Sequence, residues 1–186
     1  LTAGKDVQAT YLLNCQLKAN GKLLVEGRKG VIIGGKTCAK LGVSCNGIGN
    51  IAEIATVVSV GIDKEDMTAY QELQKKIEQT QAELQTCENG LNKLMANPVH
   101  DEKVSMMIQR LTRAVYTLKS SRKELFSERN AQMEQMTKQK EARIQVSGRA
   151  YPGTLLFLNE DPFAIKEIYN NVEFVKHDNR IDTLAH

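Results

Sequence analysis

The stretch from Asp63 to Ala142 limits what the rest of the chain can fold into. With Tyr70 as position a of a heptad, positions a and d fall on Tyr70, Leu73, Ile77, Thr80, Leu84, Cys87, Leu91 and Leu94, with Glu, Gln and Lys filling most places between. A seam of that period marks a helix packed lengthwise against another. Asn97-Pro98 interrupts it. Proline cannot continue the hydrogen bonding of a helix and disfavours helical backbone in the residue before it, so the first helix should end near Ala96. Asp101 is placed to start a second helix. Its apolar residues Val104, Ile108, Leu111, Val115, Leu118, Leu125 and Met136 keep the same spacing to about Ala142. The connection is so short that the two helices must run antiparallel. Reflection about the turn sets Leu94 near Val104, Leu84 near Val115 and Leu73 near Leu125, and at about 1.5 Å per residue the hairpin is about 50–60 Å long. Asp63 is the expected N-cap of the first helix, with Asp66 three residues on and Glu65 in the favourable first turn.

The text on either side has another grammar. From residue 1 to about 62 it consists of short apolar or alternating runs such as GKLLVEG, GVIIGG and AEIATVVSVG, closed by Gly or Asn. Runs of that length, rich in Val, Ile, Leu and Thr, are strands, and the residues closing them tolerate positive φ. After Ala142 the strands resume with ARIQVSGRAYPGTLLFLN, where Ile144, Val146 and Gly148 alternate with polar neighbours. The chain therefore divides into residues 1–62 and 143–186, two parts of one β domain, separated by a helical hairpin over 63–142.

Composition excludes several function classes. A net charge of +3, from 25 basic and 22 acidic residues, supplies no global field toward nucleic acid or membrane. No apolar run approaches the ~20 residues of a membrane helix. Cys15, Cys38, Cys45 and Cys87 form no CxxC pair, and His100, His177 and His186 lie far from them, so the expected state is reduced thiols in a cytoplasmic protein with no metal or cofactor. The chain opens on LTAGKD without Met, which suggests that a longer N-terminal portion precedes it.

Gly30 to Thr37, GVIIGGKT, matches the phosphate-binding pattern G-x-x-x-x-G-K-[ST]. The pattern works only where a helix begins at the Lys-Thr. Here the interior residues Val31, Ile32 and Ile33 prefer a strand, and TCAKLGVSCNGIGN, which follows, is too rich in Gly and Asn to sustain a helix. No catalytic constellation emerges either. His177-Asp178 and Glu160-Asp161 are adjacent pairs that diverge in extended backbone.

The run LLVEGRKGVIIGGKTCAKLGVSCNGIG, then TVVSVG, a heptad hairpin and IQVSGRAYPGTLLF resembles the C-terminal region of the bacterial flagellar assembly protein A family. The family's [KR]-G-x-[IV]-x-G-G-[KR] stretch is met by Lys29 to Lys36. Its V-x-G-x-[IVLAY]-[YP]-x-G segment is met by Val146, Gly148, Tyr151, Pro152 and Gly153. Ser44-Cys45-Asn46 departs from the family's more regular glycine-rich turn. The resemblance implies a mixed α and β fold: a short-stranded parallel β-helix, or β-solenoid, interrupted by a long antiparallel coiled-coil hairpin. Gly30, Gly34 and Gly35 would then be corner residues.

It also implies a non-enzymatic cytoplasmic scaffold in flagellar assembly or positioning, at the cell pole or near the membrane. Its partners would be other proteins, with self-association through the β-helix ends or the coiled coil. The expected contact site is the hairpin tip, Asn97, Pro98, Val99 and His100. The competing reading is a module for an anionic ligand, membrane lipid or nucleic acid, using Lys138, Lys140, Arg143 and Arg149 at the hairpin's foot. No interleaved aromatics support base stacking, which disfavours nucleic acid.

Overall fold

The computed structural model describes residues 1–27, 29–96, 101–178 and 180–185. Along the chain come β1 (Thr2–Ala3), β2 (Val7–Ala9), β3 (Tyr11–Ala19), β4 (Lys22–Val25), β5 (Val31–Ala39), β6 (Gly42–Ile48), β7 (Thr56–Val60), α1 (Lys64–Met95) and α2 (Glu102–Lys140). There follow β8 (Ile144–Ala150), β9 (Thr154–Leu158), β10 (Asp161–Ala164), β11 (Tyr169–His177) and β12 (Arg180–Ala185). The strands belong to one hydrogen-bonded sheet. Two compact units result, residues 1–66 with 135–186, and residues 67–134.

Three ladders organise the first unit. In one, the second halves of β3 and β5 pair in parallel with each other and then with β7 and β9, so that Cys15, Gly35, Thr56 and Thr154 lie in a row. In another, β2, β4, β6 and β8 pair in parallel, with Leu23, Val43 and Ile144 in register. The third joins the first halves of β3 and β5 to Gly47–Ile48 of β6 and Arg149–Ala150 of β8. Each return to a ladder takes about 20 residues. The helices enter after β7, yet β7 and β9 still pair as direct neighbours.

Period-2 alternation then builds the core. Leu17, Thr37, Val58 and Leu156 form one buried column, and Leu12, Ile32, Ile48 and Ala150 another. β5 serves two ladders because it bends at Gly34 and Gly35, whose φ angles of 71° and 78° are left-handed. Gly35 is demanding: a Cβ there would sit 2.2 Å from the Cys15 carbonyl oxygen.

The expectation of parallel pairing needs one correction, at the C-terminal end. β10 pairs antiparallel with β9, and β11 antiparallel with β8 and β12. The first reversal is a two-residue hairpin through Asn159 and Glu160, whose φ angles of 50° and 71° suit a type I′ turn and the twist of the flanking strands. Phe163, Tyr169 and Phe174 form a ring cluster with centroids 5.5–6.4 Å apart, packed on the core, with Phe174 fully buried.

In the second unit Leu73, Ile77, Leu84 and Val115 are buried, all seam positions. Glu88 of α1 pairs with Lys119 of α2 at 2.8 Å, and Gly90 lies against Leu111, whose Cδ1 is 3.6 Å from where a Cβ would stand. At the start of α2 the Asp101 carboxylate accepts from the Val104 amide at 2.8 Å, the cap its sequence position suggested.

Candidate functional site

The first ladder presents its outer face to a cleft of about 840 Å³. Its floor comes from outward positions of successive strands, Lys18 and Cys38 in one row with Ser59 and Phe157, and its wall from Gly61 to Glu65 where the chain enters α1. That entry is built locally. The Asp63 carboxylate accepts from the Asp66 amide at 3.0 Å, and the Asp66 carboxylate from the Asp63 amide at 3.3 Å, a reciprocal cap with Asp in the place usually held by Glu.

The same acids meet cations from the strands. The Lys18 ammonium lies 3.3 Å from Asp63 and also bonds Glu65, while Lys40 pairs with Asp66. The Glu65 hydrogen bond lifts the Lys18 pKa above the usual lysine range against a smaller opposing effect of burial. For Asp63, burial opposes ionisation, but the Asp66 amide and the charges of Lys40 and Lys18 outweigh it and hold the carboxyl below its ordinary value. Burial, with the Asp63 charge adding to it, raises the Cys38 pKa and keeps the thiol neutral. The Cys38 thiol is neutral and the Lys18 ammonium is paired, and no histidine is among the described residues lining the cleft.

Asn159 fastens both ends of the helical insertion. Its Oδ1 accepts from the Ile62 amide at 2.9 Å, at the entry to α1, and its Nδ2 donates to the Lys140 carbonyl at 3.1 Å, at the exit from α2. Gln139 beside it is buried.

Of the residues singled out in the sequence, Asn97, Pro98, Val99 and His100 lie outside the described residues. The four basic residues of the foot come from different elements. Lys138 and Lys140 are exposed at the end of α2. Arg143 leads into the β8 stretch of the second ladder and binds the buried Glu173 at 3.1 Å, whereas Arg149 belongs to the third ladder. The GVIIGGKT motif is strand: Lys36 points outward, Thr37 inward, and β6 follows where a nucleotide site needs a helix. Sequence reasoning missed Lys18, Lys40, Asn159 and Glu173, whose partners are distant in the chain. It also missed a signal that the letters do carry, the absence of any acid from Lys103 to Lys123.

A family model described as the flagellar assembly protein A beta solenoid domain matches residues 1–181. No curated protein and no solved structure matches the chain.

Proposed function

Because the chain belongs to the flagellar assembly protein A β-solenoid family, and its role is therefore related to flagellar assembly, we propose that it acts as a non-enzymatic scaffold, cytoplasmic and positioned at the cell pole or near the membrane. On this reading the three ladders are turns of a largely parallel β-solenoid, and α1 and α2 are an antiparallel coiled-coil arm. The working surfaces are then for other proteins of the flagellar or polar apparatus, with Asn97 to His100 as one contact and the ends of the ladders as sites of self-association.

The observation that carries the reading is the extent of the family match, which runs through both strand segments and the helices between them. The cleft supports it: acids at the entry to α1 are matched to Lys18 and Lys40, a use of charge that fixes a helix root. The test compares the full chain with a version in which residues 67–134 are replaced by a glycine-serine linker and whose β content is verified by circular dichroism. Affinity capture from the source cell, read by mass spectrometry, should retain a flagellar or polar component with the parent alone. Equal retention by both versions would move recognition to the strands.

A further inference from the structure

The outer face of α2 combines charge and apolar exposure in a way that seam packing does not require. From Lys103 to Lys123 the helix has six cations, Lys103, Arg110, Arg113, Lys119, Arg122 and Lys123, and no acid. Lys119 pairs with Glu88, but Lys103, Arg110 and Arg113 have no ion pair among the described residues. Interleaved with these three at steps of three and four residues are Met106, Met107 and Tyr116, 51%, 57% and 79% exposed. Val104, Ile108, Leu111, Val115 and Leu118, the seam positions, are more covered. Lys103, Met106, Arg110, Arg113 and Tyr116 thus share the arc turned away from the seam, and Met107 flanks it at the arc's edge.

We propose that this arc of α2 is a binding surface for an anionic lipid bilayer. The stretch spans about 30 Å at one sign of charge, which suits an extended anionic plane. The apolar members choose between anionic surfaces. Methionine is flexible and buries its thioether in hydrocarbon, tyrosine sits at an interface with its hydroxyl wet, and Lys and Arg carry their stems inward while the charge stays at the headgroups. A nucleic-acid backbone would satisfy the cations and leave the methionines in water. An acidic protein would meet the same convex stripe only with a groove shaped to it.

The experiment is co-sedimentation of the full 186-residue chain with vesicles of phosphatidylglycerol and phosphatidylcholine, against phosphatidylcholine alone. Binding should require the anionic lipid and weaken with salt. Arg110→Gln with Arg113→Gln should lower partitioning about 30-fold, and Met106→Ser with Met107→Ser about tenfold. Lys75→Gln with Lys76→Gln, an equal loss of charge on α1, should change it by less than about twofold if the arc is the surface. Absence of binding, equal binding to both vesicles, or equal losses from the α1 and α2 charge variants would overturn the proposal. Retention on duplex DNA or polyglutamate without retention on vesicles would overturn it too, assigning the arc to nucleic acid or an acidic protein respectively. None of these results bears on the protein capture above, since that reads a different ligand.

Discussion

One substitution, glycine to alanine, should have three different outcomes at three places. At Gly35 the φ of 78° costs a residue with a Cβ about 1–2 kcal/mol. The new methyl would also meet the Cys15 carbonyl oxygen at 2.2 Å and the Cys15 amide at 2.7 Å, backbone atoms locked in the ladder. Displacing them adds about 1–3 kcal/mol, and the stiffer unfolded chain returns about 0.4–1 kcal/mol. Gly35→Ala should therefore lose about 2–4 kcal/mol, lowering Tm by about 5–15 °C for a chain of this size. At Gly34 the clash is with Asn14 Oδ1 at 2.0 Å, the free end of a side chain that can rotate away. Gly34→Ala should cost about 1 kcal/mol, mainly its left-handed φ. At Gly90, inside α1, a Cβ meets only Leu111 Cδ1 at 3.6 Å, and Gly90→Ala should gain about 1 kcal/mol from helix propensity. Calorimetry reads all three, with the far-UV helix signal separating the Gly90 effect. A Gly35→Ala protein within about 1 kcal/mol of the parent, or one less affected than Gly34→Ala, would refute the reading of β5 as a strand bent between two ladders.

Asn159→Ala removes two hydrogen bonds and places alanine at a φ of 50°, so a loss of about 2–4 kcal/mol is expected in urea unfolding; a loss under about 0.5 kcal/mol would mean that the insertion is fastened elsewhere. In alkali, stability should fall from the ordinary thiol range upward. Burial pushes the Cys45 thiol to about 12, so the folded state holds a proton that the unfolded chain releases above 9.0. Lys18 acts later, its contribution present below 10.5 and lost as pH rises through its raised folded value. Cys45→Ala should flatten the first part of that decline in urea midpoints, and parallel profiles would exclude the thiol as its cause.

Elements with a strong local period are legible in the letters alone. The heptad seam gives α1 and α2 to within a few residues, and Asp63 and Asp101 cap as their positions suggest, because caps are settled within four residues of chain. Strand text is legible as well, but its pairing is less so. Gly34 and Gly35 mark where β5 bends, but which ladder each half joins depends on the neighbours that arrive on each side, and GVIIGGKT does not encode those. The antiparallel end is obscured because its turn uses Asn159 and Glu160 instead of glycine, and its ring cluster draws on β10 and β11 together. Long-range pairs such as Lys40 with Asp66 and Arg143 with Glu173 leave no local trace. The exposed methionines of α2 are hidden for another reason. In a string of heptad letters Met106 and Met107 are filler, and only their accessibility separates them from the seam.

Ile62 and Lys140 both reach the side chain of Asn159, which makes the junction a socket. What the strands specify there is the spacing of two chain ends, and everything between those ends is cargo. The mount has more fasteners than these two bonds, since Asp63, Glu65 and Asp66 at the root of α1 also pair with Lys18 and Lys40, so a replacement payload would have to keep those root residues as well as the spacing of the ends.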